Sequence, residues 1–259
     1  MTYDLLIKGG TVIDPSQGLN AIRDVAISGD KIAAVDSAIP ESHAAELLDA
    51  AGMIVAPGLL DLHVHSFWGV SHYGVDPDFA HLSKGVTTAL DAGSAGANTF
   101  PAFRKYVLER CRTRLLALLN ISSMGMIDHD IGELEDLRWA DVGAAVRVSR
   151  SNADWLVGIK VRLSRTITGR HDVDSLNRAI EAAQSLDSFV MAHIGDTETP
   201  LEELCALLRP GDVVTHVFTG HPHGVLDDAG RVFPGVLEAQ RRGVLFDIGR
   251  GAGSFSFDV

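Results

Sequence analysis

The sequence predicts an α/β protein, a (β/α)8-type (TIM) barrel that is incomplete here, with about seven βα units, plus a small N-terminal β-sandwich layer. Three observations carry that prediction. Residues 1–57 are short β-rich runs separated by turn dipeptides, with little room for a helix. From Gly58 onward, apolar runs of strand length alternate with helical patterns. Those runs are apolar throughout rather than at every second position, as a parallel sheet covered on both sides requires.

Taken in order, YDLLIKGGTVID, DVAISGDKIAAVD and MIVAPG are the N-terminal runs, broken by GG and GD turn signals. They predict a small antiparallel sheet layer over 1–57, ahead of a barrel domain over 58–259. Barrel strands are expected at 59–65 (LLDLHVH), 85–92 (GVTTALDA), 114–121 (RLLALLNI), 155–163 (WLVGIKVRL), 188–194 (SFVMAHI), 212–218 (DVVTHVF) and 243–248 (GVLFDI). Helical patterns lie between them, for example at 98–110, 174–186 and 199–209. In the last, Thr199 is expected as N-cap and Pro200 at the first helical position. A closed barrel of this type has eight strands and about 250 residues of its own, whereas only about 200 follow the first layer here. The eighth strand and closing helix are therefore expected to be missing, and the chain to be C-terminally truncated.

Composition narrows the function classes. A net charge of −12 argues against a nucleic-acid partner, which would demand a surplus of Lys and Arg. No leader pattern precedes the first strand, and no apolar run reaches the roughly 18 residues of a membrane helix. Cys111 and Cys205 are too few and too far apart for a disulfide framework or a sulfur-rich zinc site, which suits two buried thiols in a reducing cytoplasm.

Four histidines fall at equivalent places. His63 and His65 close the first barrel strand as HVH, His193 ends FVMAH, and His216 ends DVVTH. The C-terminal ends of parallel barrel strands open on one face, so these imidazoles are expected to converge there, with Lys160 near the end of the fourth strand among them. Neutral imidazole is the commonest metal ligand. Lys160 sits inside an apolar run, where an ammonium ion is costly to dehydrate. One reading is an edge-strand lysine whose stem snorkels to water or pairs with an acid. The other is a neutral amine that has reacted with CO2, giving a carbamate that bridges two divalent ions about 3.5–4 Å apart.

PGLLDLHVH at 57–65, following LLIKGGTVID, resembles the entry to the amidohydrolase superfamily. GIKVRLS, MAHIGD and VVTHVFTG are similar to its dihydroorotase-like amidohydrolase/deacetylase branch. The resemblance implies a distorted (β/α)8 barrel, a small β-sandwich and a binuclear centre of two divalent metal ions, usually Zn2+. It also implies that His63 and His65 hold the first ion, that carboxylated Lys160 bridges both, and that His193 and His216 hold the second. Superfamily members carry a proton-shuttling aspartate on the eighth strand. Neither Asp247 nor Asp258 matches that motif, and neither is assigned the role.

The implied activity is hydrolysis of an amide or ester bond in a small acylated substrate by a metal-bridging hydroxide. A cyclic amidohydrolase of the dihydroorotase or dihydropyrimidinase kind is the alternative, and an inactive metal-binding fragment is a third reading. Arg162 and Arg165 are candidates to clamp a substrate carboxylate, against surface ion pairs. Asn98 and the glycines of GSAGANTF are candidates for close approach to ligand, against a simple turn. His221 and His223 could reach substrate from the loop after the sixth strand, and Trp68, His72 and Tyr73 could line the mouth. No nucleic-acid or membrane partner is expected, and a homo-oligomer is left open.

Overall fold

The computed structural model describes residues 3–128, 130–251 and 253–259. Its backbone divides into two compact units, Met1–Gly58 and Leu59–Val259.

The first unit is one five-stranded sheet built from β1 (Tyr3–Asp14), β2 (Leu19–Ser28), β3 (Lys31–Asp36), β4 (Ala44–Asp49) and β5 (Ile54–Val55). The antiparallel expectation needs correction, because the sheet is mixed. β1–β2 and β2–β3 are antiparallel, whereas β4 and β5 run parallel to β1. Residues 37–43 carry the chain to the far side of β1 rather than turning it back in a hairpin, and a parallel pair needs such a crossover. The described residues form one sheet layer here and not two. Leu6, Ala26 and Ile39 pack as its small core. Buried Asp24 ties the layer together by accepting hydrogen bonds from Lys8 Nζ (2.8 Å), Gly9 N (2.9 Å) and Ile39 N (2.8 Å).

The second unit is a seven-stranded parallel sheet in simple sequence order: β6 (Leu59–Val64), β7 (Val86–Asp91), β8 (Arg114–Asn120), β9 (Leu156–Arg162), β10 (Phe189–His193), β11 (Val213–Thr215) and β12 (Leu245–Asp247). Between the strands lie α1 (Pro77–Ala80), α2 (Phe100–Phe103), α3 (Val142–Arg150), α4 (Arg165–Thr168), α5 (Asp172–Ser185), α6 (Leu201–Leu207) and α7 (Pro234–Arg241). The apolar runs that form the central strands β8, β9 and β10 are covered on both faces. Leu115, Leu119, Ile159, Val161 and Val190 are fully buried, packed in one core with Leu176 and Ala179 of α5 and Leu204 of α6.

The sheet curls into an incomplete barrel. The curl brings His63 at the end of β6 within 3.2 Å of Asp247 at the end of β12. β6 and β12 do not pair with each other, and Leu59, Leu60, Leu62 and Leu245 on these end strands are exposed. No helix among the described residues is long and apolar enough to cross a membrane.

Two helix expectations are corrected. The pattern at 98–110 is α-helical only over α2 and continues as a π-helical turn at Arg104–Leu108. Thr199 does not cap α6, whose N-cap position is Pro200 with no side-chain hydrogen bond. The threonine is held instead by buried Asp172, which accepts from both its backbone N (2.8 Å) and its Oγ1 (3.0 Å).

Burial opposes ionisation of Asp24, but hydrogen bonds from Lys8, Ile39 N and Gly9 N outweigh it and hold its pKa below the usual 3.8. The stability it contributes is therefore present above that value and lost as pH falls through the depressed one. Asp24→Asn is expected to cost about 2–4 kcal/mol, because a carboxylate with three donors is lost and Lys8 loses its counter-ion, keeping only the Ile39 carbonyl at 3.1 Å. Urea unfolding at neutral pH measures this, and the gap between variant and wild type should close in acid.

Candidate metal centre

Strand geometry delivers the polar groups. Alternation along β9 turns Gly158, Lys160 and Arg162 to one side of the strand, and Lys160 is only 1% exposed. Its stem fits because Gly93 faces it. A Cβ at Gly93 would lie 2.4 Å from Lys160 Cβ, and Gly93 has φ +85°. The Nζ atom is buried without a hydrogen-bond partner. Burial first, and then the cationic Arg162, lower its pKa to about 7. Lys160 is thus poised to be a neutral amine rather than the ammonium of a free lysine.

The four imidazoles surround the same space. Ring centroids are 5.6 Å apart for His63–His65, 4.8 Å for His63–His216 and 4.8 Å for His193–His216. Burial disfavours each imidazolium. His216 is pushed down to about 3, with the Lys160 charge adding to the effect. His65 and His193 fall well below the ordinary value and His63 falls less far.

Three of the four Nδ1 atoms are engaged. His65 Nδ1 lies 3.0 Å from Ser94 Oγ, His63 Nδ1 lies 2.8 Å from Thr215 Oγ1, and His216 Nδ1 bonds to the Gly249 carbonyl. His193 Nδ1 is buried with no partner. Among the described residues, no three His, Cys, Asp or Glu side chains form a metal-holding set by themselves. His216 adopts φ +73°, a strained backbone for a residue with a Cβ.

All five groups line one cleft of about 460 Å3, together with Arg162, Tyr73 and His221. Arg162 is buried, and its Nη1 pairs with Glu133 at 3.3 Å. Glu133 also accepts from Asn120 Nδ2 (3.4 Å), and burial raises its pKa although Arg162 opposes the shift. His221 Nε2 bonds to the Gly253 carbonyl at the cleft's edge.

Other predicted residues fall elsewhere. Arg165 is half exposed and paired with Glu198 (2.9 Å) and Asp196 (3.8 Å), outside the cleft lining. Asn98 is exposed, with its backbone N bonded to Ser123 O. The glycines of GSAGANTF make room for protein rather than ligand. Gly93 meets the Lys160 stem, and a Cβ at Gly96 would lie 1.9 Å from Ser122 O. His223 bonds to Thr197 O, and neither it nor Trp68 nor His72 lines the cleft, whereas Tyr73 does.

Sequence reasoning missed Glu133, Asp91, Ser94 and Thr215. The one available signal was a polar residue at a strand's last position: Asp91 ends β7 and Thr215 ends β11.

No family model matches the chain. Among individual proteins, it is 37% identical over 238 residues to a deacetylase of Agrobacterium fabrum, covering 91% of this chain and 58% of that one. It is 36% identical over 261 residues to a deacetylase of Enterococcus faecalis, covering 100% of this chain and 69% of that one. The chain therefore spans only part of the length of these relatives. Of solved structures, one described as an adenine deaminase superposes with TM-score 0.89 at 36% identity, covering 99% of this chain and 68% of the other. Another, described as a dihydroorotase, gives 0.87 at 34%, covering 98% and 66%.

Gly93→Ala tests the packing that seats Lys160. The substitution puts a Cβ into the lysine stem at a left-handed backbone position, and is expected to destabilise the fold by about 2–4 kcal/mol. Chemical denaturation reads the loss, and an unchanged midpoint would refute the tight seat.

Proposed function

We propose a function from one premise: the chain belongs to the amidohydrolase superfamily. On this reading His63, His65, Lys160, His193 and His216 hold two divalent ions, most simply Zn2+. The activity of the whole protein is hydrolysis of an amide or ester bond in a small acylated carboxylic acid. The observation that carries the reading is the Lys160 amine, buried among four imidazoles with no hydrogen-bond partner.

The donor set fits such ions. Burial keeps the imidazoles neutral, which is the ligating form. The gap in the set is filled if Lys160 supplies oxygens. Its neutral nitrogen attacks the carbon of CO2, an N–C bond forms, one C=O electron pair moves onto oxygen, and the N–H proton leaves to water. The resulting carbamate would bring one negative charge and two oxygens to a donor set that is otherwise four neutral imidazoles. Bound there, divalent ions would supply Lewis acidity and lower the pKa of water toward neutrality.

The chain's own residues orient the substrate. Arg162 is held by Glu133 through Nη1. That leaves guanidinium N–H groups to meet a substrate carboxylate, in the planar geometry suited to one. His221 stands at the rim. The names of the relatives support acyl cleavage, and the guanidinium of Arg162, buried in the cleft wall, supports an acidic substrate. The thiols of Cys111 and Cys205 are free, which suits a reducing compartment such as the cytoplasm.

Lys160→Ala is the direct test. Changing a residue that merely orients a ligand costs about 10–100-fold in metal affinity or activity, so loss of the bridge is expected to exceed that. Elemental analysis should show depleted metal, short-chain carboxylic acids should restore part of the activity, and 13C-bicarbonate should give a carbamate resonance in wild type only. Two tightly retained ions in the variant would defeat the bridging role. Arg162→Met is expected to lower kcat/KM for carboxylate-bearing acyl substrates by ~10- to 150-fold, the equivalent of about 1.5–3 kcal/mol for a charged hydrogen bond, and to spare neutral analogues. Ring opening of dihydroorotate or hydantoins without acyl cleavage would overturn the substrate assignment.

A further inference from the structure

The two histidines of the HVH pair are each backed by the same device, a carboxylate acting through a hydroxyl. We propose that Asp91 through Ser94, and Asp247 through Thr215, are positioning residues that set the tautomer of His65 and His63, fixing the proton on Nδ1 and presenting the Nε2 lone pair to the metal centre.

The direction of each hydrogen bond follows from proton counting. Ser94 Oγ donates to Asp91 Oδ2 at 2.8 Å. A hydroxyl has one proton, so toward His65 Nδ1, 3.0 Å away, Ser94 Oγ can only accept. His65 must then carry its proton on Nδ1. Thr215 Oγ1 likewise donates to Asp247 Oδ2 at 2.6 Å and accepts from His63 Nδ1 at 2.8 Å. Asp247 Oδ2, at 3.2 Å, is a second acceptor for the same His63 proton. A ligating imidazole has one N–H and one lone pair, so fixing the proton on one nitrogen commits the other.

The Asp91 relay is the more rigid. Asp91 is fully buried and its carboxylate also accepts from Ser94 N (2.7 Å) and Ser66 N (2.7 Å), so it cannot rotate away from the serine. Its place is set by the sheet, because Asp91 is the register partner of Val64, between the two histidines. Asp247 is placed the same way, as the register partner of Thr215. Asp91, Thr215 and Asp247 therefore sit at the C-terminal ends of strands, and Ser94, in the loop after β7, is held to Asp91 through both its backbone N and its hydroxyl. His193 has no such support, as its buried Nδ1 lacks any partner.

The role rests on the metal-centre reading, but the tautomers do not, and the test separates them. In the metal-free full chain labelled with 15N-histidine, long-range 1H–15N correlation reports which ring nitrogen carries the proton. Wild type is expected to show Nδ1–H for both His63 and His65. Ser94→Ala is expected to convert His65 alone to a mainly Nε2–H ring, Thr215→Ala to convert His63 alone, and Ser94→Thr to keep the wild-type form. Zn2+ affinity, read by competition with a chromophoric chelator, should fall by about 10- to 100-fold in the two alanine variants. An Nε2–H ring at either histidine in wild type overturns the proposal, and so do unshifted tautomers in the alanine variants. If Ser94→Ala fails to fold, the wild-type spectrum and Thr215→Ala still decide. Failure of wild type to bind Zn2+ would count against the metal centre, with the tautomers still judging the relays.

Discussion

Burial of the Lys160 amine is the constraint on which the rest of the barrel unit depends. An ammonium ion in that position would lose its hydration and gain no hydrogen bond, and an isolated buried charge of this kind is too costly to persist. The fold eases the problem by lowering the lysine's affinity for its proton rather than by giving it a hydrogen-bonded partner. Burial and the nearby Arg162 guanidinium bring the lysine to the edge of neutrality. The same burial disfavours the imidazolium form of all four histidines, so the lysine is ringed by neutral bases rather than by further cations.

Arg162 cannot use that solution, because a guanidinium does not give up its proton. It is paired instead, and Glu133 is the price of keeping a cation beside the lysine. A buried ion pair of this sort contributes little net stability, since desolvation consumes most of the Coulombic gain. What the Glu133–Arg162 pair secures is position: the arginine is held to the cleft wall while Arg165, three residues later, is drawn outward by Asp196 and Glu198.

Backbone geometry is bent to the same end. Gly93 exists as glycine because the Lys160 stem occupies the space a Cβ would need. Gly249 lies so close to Thr215 that a Cβ would come within 2.2 Å of its hydroxyl, and its carbonyl serves His216 Nδ1. His216 itself holds a left-handed conformation at the point where β11 gives way to its loop. Strain of this kind, of order 1–3 kcal/mol for each such residue, survives only where surrounding contacts enforce it.

The continuous apolar runs and their alternation with helices determined the parallel barrel strands, because a strand covered on both faces leaves no polar position to spare. They likewise determined that HVH, Lys160, His193 and His216 would meet, since parallel strands all end on one rim. Other features depend on contacts between residues distant in the chain, which no local pattern encodes. β4 pairs parallel to β1 because of where residues 37–43 carry it, and nothing in AAELLD reveals that. Thr199 reads as a helix cap until Asp172 takes its hydroxyl. Arg162 and Arg165 are equivalent as letters and differ only in which carboxylates the fold sets beside them. Asp91, Ser94 and Thr215 are ordinary polar residues in the sequence, and only the curl of the sheet, which sets each hydroxyl against an imidazole, decides where those imidazoles keep their protons.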